Sequence, residues 1–412
     1  MSTAIVIAVY VVIIASFAFD WWLSRLNYNN QNAPIPEVVN DIYGETEYKR
    51  WQAYTMENHK FSNISKIVTQ VVFLILLVSG AFVVFQGWAE QLTNHVPLQV
   101  VYFMAPYFII SRIIGIPFSY YDTFVIEEKY GFNKATKKTF VLDKIKGIIL
   151  TIIFGGGLLY LIGTIQFHMN SGMTFFIVTW LSLMVIFFLI MILYVPVFVP
   201  LFNKLSPLED GELKIMITSF ANSVGYEISK ISVIDASKRS SRLNAFFSGM
   251  GKFKQIVLYD TLIEKMSNEE IVAVLAHEIG HNKHKHVISG LFERGITLFI
   301  YVGLLMLVLN EAIFSTAFGF DAASIGFSLV LFIVLLEPIS ILINLVSAGI
   351  SRKHEYQADA YASTKFKKEP MITALKVLSK ENFSNLTPHP LYVKLRYSHP
   401  PTADRINAIM EL

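Results

Sequence analysis

The 412-residue sequence contains no cysteine and few charged residues. The absence of cysteine excludes disulfide bonds, thiolate metal ligands and a cysteine nucleophile. Charged residues make up only 16% of the chain, whereas hydrophobic residues make up 54% and the mean hydropathy is +0.50. An ordinary soluble domain has about a quarter of its residues charged. The low charge therefore predicts a protein whose apolar surface lies in lipid.

The chain also lacks the charge distribution of a nucleic-acid-binding protein. Its formal net charge is only +3, and the sequence shows no basic stripe interleaved with aromatic residues. Nucleic-acid interfaces typically carry such a concentrated basic footprint. We expect membrane lipid as a partner and no nucleic acid.

Long apolar segments are the commonest feature of the sequence. A helix of about 20 apolar residues crosses a hydrocarbon core about 30 Å thick while satisfying its own backbone hydrogen bonds. The first segment is too long for a signal-peptide core and has no basic residue before it, so we expect it to be a retained span. We predict about seven membrane spans, at Thr3–Phe19, Val68–Trp88, Leu98–Tyr120, Ile148–Gln166, Phe175–Val199, Gly290–Leu309 and Ile325–Ile350.

Lysine and arginine are distributed unevenly over the loops between these spans. The loops after the first and third spans are rich in both residues, whereas the alternate loops Ala89–Pro97, Phe167–Thr174 and Asn310–Ser324 contain neither. Positive residues are retained on the cytoplasmic side of a membrane. The distribution predicts a cytoplasmic location for the polar insertion after the fifth span and for the C-terminal part, in a bacterial inner membrane or the endoplasmic reticulum.

These observations predict an α-helical polytopic membrane protein in four parts. Five spans occupy residues 1–199, a polar insertion occupies residues 200–289, two further spans occupy residues 290–350, and a polar C-terminal part follows at residues 351–412.

The segment with the clearest chemistry is His277-Glu278-Ile279-Gly280-His281 in the polar insertion. Ser267, followed three residues later by a glutamate, predicts the start of a helix, because this spacing forms a capping box. Residues four apart lie on one face of a helix, so His277 and His281 are placed to bind one Zn²⁺. Glu278 is placed to take the proton of a water molecule that attacks a carbonyl.

A catalytic zinc site needs a third protein ligand, and helix surfaces also carry this short motif without any metal. Glu355 and Asp359, after the last span, again lie four residues apart. We predict that Glu355 is the third ligand and that Asp359 supports a ligand histidine through a hydrogen bond. His354 points about 100° away and is the weaker candidate. Taken alone, the two acidic residues also fit a solvated helix face.

His284 and His286 follow the motif closely but are spaced two residues apart. On a helix they cannot both face the metal held by His277 and His281. We interpret them as part of a basic patch next to the membrane.

Several segments together resemble the integral-membrane CAAX prenyl protease type 1 family. They include Thr123–Asn133 after the third span, Asn244-Ala245-Phe246, the motif His277–His281, Glu355 to Asp359, and His399-Pro400 with Arg405. The resemblance covers nearly the whole chain. It implies a seven-helix membrane barrel around a large chamber, with a cytoplasmic α+β metalloprotease domain of the gluzincin kind. It also implies release of the last three residues of prenylated CAAX proteins or peptides.

The resemblance implies one Zn²⁺ per chain, held by His277, His281 and Glu355. It implies that Glu278 is the general base and that Asp359 supports a ligand. It further implies that His399 contacts the transition state and that Arg405 contacts the substrate carboxylate. The simpler alternatives for the last two are a proline turn and a solvated charge on the final helix.

Asn244, Ala245 and Phe246 precede a glycine-rich turn at 249–251 and the alternating run Gln255–Tyr259. This pattern predicts a β-hairpin whose free edge pairs with an extended substrate. The simpler alternative is that Asn244 only caps the hairpin. The sequence departs from many relatives at Asn282, where they carry tryptophan, and at His284, whereas His286 matches a recurrent histidine.

Three alternative functions remain at this point. A membrane quality-control metalloprotease of the HtpX kind shares the metal motif but has fewer spans and lacks the segment Thr123–Asn133. An intramembrane protease of the site-2 kind carries its motif inside a span, whereas here the motif follows a polar helix start. A catalytically idle scaffold or a transporter that kept the metal site belongs to a different class.

Overall fold

The computed structural model describes residues 2–169, 172–248 and 255–412. Its helices, in chain order, are α1 (Ser2–Asn29), α2 (Glu45–Val78), α3 (Ala81–Leu92), α4 (Val96–Tyr121), α5 (Lys137–Leu150), α6 (Gly157–Met169), α7 (Met173–Leu193), α8 (Val199–Phe202), α9 (Glu212–Ser223), α10 (Asp260–Lys265), α11 (Asn268–Lys283), α12 (His286–Asn310), α13 (Ile313–Thr316), α14 (Ile325–Lys365), α15 (Lys368–Glu381), α16 (Pro390–Arg396) and α17 (Thr402–Met410). The strands are β1 (Leu205–Pro207), β2 (Lys230–Ile234), β3 (Ala245–Ser248) and β4 (Gln255–Tyr259).

Within these residues, seven helices are long and apolar enough to cross a membrane, which confirms the predicted span count. Most of them extend beyond the predicted apolar cores, because they continue into polar residues at one or both ends. Their bounds are Ser2–Asn32, Glu45–Val78, Val96–Glu127, Lys137–Met169, Met173–Phe202, His286–Leu309 and Ile325–Lys365.

The second predicted span was placed wrongly. The sequence predicted one helix over Val68–Trp88, but α2 ends at Val78 and a separate helix, α3, begins at Ala81. Gly80 between them has a φ of +70°, a left-handed conformation that glycine adopts without steric cost. Hydropathy does not reveal this break, because the residues on both sides of the glycine are equally apolar.

The segment Thr123–Asn133 begins as a continuation of the third membrane helix. Residues Asp122–Glu127 form a π-helical extension of α4, and the chain then turns at Gly131, whose φ is +83°. Asn133 forms an isolated antiparallel bridge with Ser240 in the polar insertion. The segment therefore connects the membrane helices to the chain that leads into β3.

The polar insertion contains a four-stranded sheet in the order β1-β2-β4-β3. β2 and β4 are parallel, whereas β3 is antiparallel to β4, with Ala245 opposite Leu258 and Phe247 opposite Ile256. This confirms the predicted hairpin pairing, while its turn at 249–251 lies outside the described residues. In the described part of the chain, β3 is an edge strand.

One face of the sheet packs on α11 to form the main core of the polar part. Ile256 and Leu258 of β4 are fully buried, as are Ile271 and Val272 of α11. The other face, with Phe246 and Val257, packs against Val195 and neighbouring residues at the end of the fifth membrane helix. The sheet therefore lies between α11 and the end of the fifth membrane helix.

Candidate metal and active site

Helix α11 carries the metal motif and begins as predicted. Ser267 and Glu270 form the capping box, with the Ser267 hydroxyl accepting from the Glu270 amide and the Glu270 carboxylate accepting from the Ser267 amide. The helix is buried from Ile271 to His277 and again at Ile279 and Gly280, which sets the orientation of its polar residues. His277 is 7% exposed, so its imidazole lies inside the protein.

Gly280 allows α11 to approach α14 closely. A Cβ at this position would lie 3.1 Å from the Ala358 Cα and 3.1 Å from the Tyr361 Cβ, so a larger residue would push the helices apart. Glu355 and Asp359 lie on the facing side of α14 and are 4% and 1% exposed. Helix α14 is continuous from the last membrane span through both acidic residues.

The side chains of His277, His281 and Glu355 converge on one point. The two histidine Nε2 atoms are 3.1 Å apart, and the Glu355 carboxylate oxygens lie 3.5 Å from His277 Nε2 and 3.3 Å from His281 Nε2. Ligands bound tetrahedrally at about 2.0–2.1 Å lie about 3.3–3.4 Å apart. The three side chains therefore fit a single zinc-sized ion.

Two further observations support this fit. Glu355 Oε2 is buried and has no hydrogen-bond partner among the described residues. Burial alone opposes a charge on His277, but the contacts with Asp359 and Glu355 outweigh it and raise its pKa to about 9. A buried cluster of carboxylates and imidazoles that favours positive charge is arranged to hold a cation.

Asp359 lies behind His277, on the side away from the convergence point. Its Oδ1 is 2.8 Å from His277 Nδ1. When the His277 ring is neutral, this contact places its proton on Nδ1 and leaves Nε2 available as a ligand. Asp359 therefore lies next to a candidate ligand histidine, and its supporting role stays a prediction.

Arg405 on α17 contacts the same carboxylate. Its Nε and one terminal nitrogen donate to the two Asp359 oxygens, both at 2.7 Å, and it lies 3.5 Å from Glu355 Oε2. Its side chain is 12% exposed. Arg405 also lines a cavity of about 530 Å³ together with Asn244 and His399. Its contact with a substrate carboxylate stays a prediction.

Glu278 lies beside the ligands on the side of α11 that faces β3. Its carboxylate accepts a hydrogen bond from the Phe247 backbone N–H. Burial raises the pKa of Glu278 above the ordinary value of 4.5, against the opposing effect of His277 and His281. A carboxylate with a raised pKa is a better proton acceptor than an ordinary one.

His399 approaches the cluster from the C-terminal part. Its Nε2 is 3.4 Å from Glu355 Oε1, and its side chain is 62% exposed. It follows α16 and precedes the Pro400-Pro401 pair, so the sequence distance to Glu355 gives no hint of this contact. The structure thus brings His399 to the open side of the cluster.

Asn244 immediately precedes β3, and Ala245 and Phe246 are its first two residues. The Asn244 backbone carbonyl accepts from the Tyr259 amide, and its side-chain oxygen accepts from the Ala245 amide. Because Phe247 contacts Glu278, the edge of β3 runs directly past the candidate base. The side chain of Phe246 points to the opposite face, toward Tyr194 and Tyr259.

Sequence reasoning gave His286 no role in the site and missed Gln357. His286 was interpreted as part of a basic patch next to the membrane, but the structure buries it beside the metal motif, at 8% exposed. Its Nδ1 lies 2.9 Å from His281 Nδ1, and its Nε2 lies 3.0 Å from Gln357 Oε1. The hydropathy around residue 286 gives no signal for this, because burial here comes from packing against α14.

Sequence reasoning also missed Arg242 and Asn382, which hold the chain that enters β3. The Arg242 guanidinium pairs with Glu127 of the segment Thr123–Asn133 at 3.1 Å and lies over the Phe132 ring at 4.3 Å. The Asn382 amide accepts from the Leu243 N–H at 2.9 Å and donates to its carbonyl at 3.1 Å. The segment Thr123–Asn133 and Asn382 therefore both hold the chain that enters β3.

Comparisons with known proteins support this fold and site. Residues 24–204 match a family model described as CAAX prenyl protease N-terminal, five membrane helices, and residues 207–412 match Peptidase family M48. The fold and the site define the class as a multi-pass membrane metallopeptidase.

Individual relatives match almost the whole chain. CAAX prenyl protease 1 of Saccharomyces cerevisiae is 35% identical, with 96% of this chain and 93% of the relative aligned. A CAAX prenyl protease 1 homolog of Oryza sativa subsp. japonica is 34% identical over 98% of this chain and 96% of the relative. The crystal structure of S. mikatae Ste24p superimposes with a TM-score of 0.91 at 34% identity, covering 97% of this chain and 98% of that chain. The chain belongs to the CAAX prenyl protease type 1 family, as the resemblance implied.

Proposed function

We propose that this chain is a zinc-dependent membrane endopeptidase that removes the last three residues of prenylated proteins or peptides ending in a CAAX box. The observation that carries the proposal is the convergence of His277, His281 and Glu355 beside Glu278 and the edge of β3. Relatives named as CAAX prenyl proteases match the chain over nearly their whole length, which supports the substrate class.

His277, His281 and Glu355 would hold one Zn²⁺, because two imidazoles and one carboxylate are a common donor set of hydrolytic zinc sites. When bound, the ion lowers the pKa of water and polarises the scissile carbonyl. Asp359 holds the His277 ring through Nδ1 so that Nε2 stays directed at the ion.

Glu278 acts as the general base in this proposal. Its carboxylate takes a proton from the attacking water and returns it to the nitrogen of the leaving peptide. The hydrogen bond from the Phe247 N–H fixes the carboxylate next to the strand that binds the substrate. His399, which is exposed and 3.4 Å from Glu355, donates to the oxygen of the scissile carbonyl as it becomes negative.

The substrate extends along the edge of β3, where backbone groups pair with the substrate main chain as an added strand. Asn244, Ala245 and Phe246 form the start of this edge. Arg405 and His399 line the cavity of about 530 Å³ at the same end as Asn244, which suits a short peptide ending in a carboxylate.

An apolar cavity of about 480 Å³ lies on the membrane side of the sheet and suits the prenyl chain. Its aromatic lining comes from both the membrane helices and the sheet, and consists of Phe154, Tyr194, Phe198, Phe202, Phe246 and Tyr259. A substrate peptide carrying a diazirine on its isoprenoid should label these residues on irradiation. Labelling confined to α1–α3 would place the prenyl group elsewhere.

The central experiment compares two peptides that differ only in a farnesyl group on the CAAX cysteine. Purified protein should release the last three residues of the farnesylated peptide, as detected by mass spectrometry, and a zinc chelator should abolish the release. Glu278→Gln protein is the matched control for contaminating proteases. Cleavage of unfolded membrane proteins alone would favour a quality-control protease, and bound zinc without any cleavage would favour an idle scaffold.

We further propose that the catalytic side faces the cytoplasm, from the distribution of lysine and arginine. Because the chain has no cysteine, single cysteines can report its orientation. Ser206→Cys and Leu412→Cys should react with an impermeant thiol reagent from the cytoplasmic side. Asn94→Cys, in a loop without lysine or arginine, should react from the other side. Labelling of Ser206→Cys and Leu412→Cys from opposite sides would contradict the orientation.

A further inference from the structure

The two candidate ligand histidines have different partners behind them. Asp359, a carboxylate paired with Arg405, lies behind His277. Behind His281 there is a second imidazole, since His286 Nδ1 lies 2.9 Å from His281 Nδ1. The far nitrogen of His286 then reaches Gln357 Oε1 at 3.0 Å.

We propose that His286 and Gln357 position His281 by fixing its proton on Nδ1, so that its Nε2 is always available to the metal. This inference rests on the proposed role of His281 as a metal ligand. His286 is a positioning residue in this account, since it acts through His281 and lies on the far side of that ring from the convergence point.

Proton counting along the three side chains supports the assignment. A neutral imidazole has one N–H donor and one acceptor nitrogen. The His281 Nε2 atom must offer a lone pair to the metal, so the His281 proton lies on Nδ1 and is donated to His286 Nδ1. His286 then carries its own proton on Nε2, where the Gln357 amide oxygen accepts it. Every N–H in this row of three side chains meets an acceptor, and all the hydrogen bonds point from His281 toward Gln357.

The surroundings of His286 hold its ring in the orientation that the hydrogen bonds with His281 and Gln357 require. The ring stacks on His354 with a centroid distance of 3.9 Å and an interplanar angle of 13°. His284 stacks less closely, at 5.5 Å and 15°. His286 is also the first residue of α12, the sixth membrane helix, while Gln357 lies on α14 between Glu355 and Asp359. The contact therefore joins the ligand helix α11 to the start of one membrane helix and to the end of another.

The choice of a neutral partner has a physical consequence. A second carboxylate behind His281 would add negative charge to a site that already contains Glu355, Asp359 and Glu278. An imidazole that ends on an amide directs the ring without adding charge. His286 and Gln357 thus provide orientation at His281, whereas Asp359 provides both orientation and charge at His277.

The test measures zinc dissociation constants by chelator competition on purified full-length protein. His286→Phe keeps the ring and the stack on His354 but removes the acceptor, and it should weaken zinc binding by roughly 10–100-fold. His286→Asn places an amide oxygen near the lost Nδ1 and should restore most of the affinity. Gln357→Met keeps the length of the side chain without its acceptor and should weaken binding in the same direction by a smaller factor. His284→Phe, the same substitution in an exposed neighbour, should match the parent.

Each outcome decides between this inference and the proposed function. If the parent binds zinc tightly and His286→Phe binds it equally tightly, the positioning role is wrong while the zinc site stands. If His286→Asn is as weak as His286→Phe, His286 contributes through packing and not through its acceptor, which also overturns the inference. If the parent itself binds no zinc, the proposed function fails. Thermal unfolding of the metal-free variants shows whether each one is folded.

Discussion

Arg405 donates two hydrogen bonds of 2.7 Å to the carboxylate of Asp359, one to each oxygen. The two side chains are 12% and 2% exposed, so the pair is shielded from water. Asp359 in turn lies 2.8 Å from His277 Nδ1. The last helix of the chain therefore neutralises the carboxylate that orients a candidate ligand on α11.

We expect Asp359→Asn to weaken zinc binding by roughly 10–100-fold, because the amide holds the His277 ring less strongly than the carboxylate does. Arg405→Met leaves Asp359 buried without its charge partner, and breaking a buried pair in this way costs about 3–5 kcal/mol. Both variants should also unfold more easily than the parent when metal-free. The double variant should lose less free energy of unfolding than the sum of the losses of the two single variants, as measured by thermal unfolding of metal-free protein. Additive losses would show that the pair is not coupled.

Metal analysis separates a base from a ligand at the two glutamates. Glu278→Gln should retain stoichiometric zinc and lose at least about a hundredfold in turnover, because an amide cannot accept a proton from water. Glu355→Ala should lose both zinc and activity, because two histidines alone hold the ion weakly. After identical dialysis, stoichiometric zinc in Glu355→Ala at parental affinity would exclude Glu355 as the third ligand.

The pKa of His277 predicts how zinc affinity depends on pH. In the metal-free protein this pKa is raised to about 9, so His277 carries an extra proton at neutral pH. Zinc must displace that proton. The affinity should therefore rise about tenfold per pH unit up to about pH 9 and level off above it. Chelator competition corrected for the chelator's own protonation measures this slope, and a flat profile between pH 7 and 9 would contradict it.

The contact between Arg242 and Glu127 predicts a role for the segment Thr123–Asn133 in substrate binding. Glu127→Gln removes the charge that holds Arg242, and hydrogen bonds to charged groups contribute about 1.5–3 kcal/mol. We expect catalytic efficiency to fall by roughly tenfold or more, mainly through KM, while zinc content is unchanged. Glu209→Gln, an exposed glutamate outside the segment, is the matched control. Loss of zinc in Glu127→Gln would mean that the segment supports the metal site instead.

Much of this protein follows from its sequence. The membrane class and the seven spans follow from long apolar segments, because lipid permits only a backbone that satisfies its own hydrogen bonds. The helical start at Ser267 and the pairing of β3 with β4 also follow from local patterns, and the structure contains both. The relation of His277 to His281 is fixed by the helical repeat alone. Glu355 and Asp359 could be predicted as candidates for the metal site because they are also four residues apart and share one helix face.

Other features were decided by the tertiary structure. The break at Gly80 depends on a backbone conformation that hydropathy does not register. His286 is buried because separate helices pack around it, and it contacts His281 on a different helix. Asn382 likewise contacts Leu243, which lies far away in the sequence. The sequence by itself determined which residues have the chemistry to bind a metal and move a proton. Only the packing of α11 on α14 decided that the Glu355 carboxylate lies 3.3 to 3.5 Å from the two histidines, because such contacts depend on how separate helices fit together.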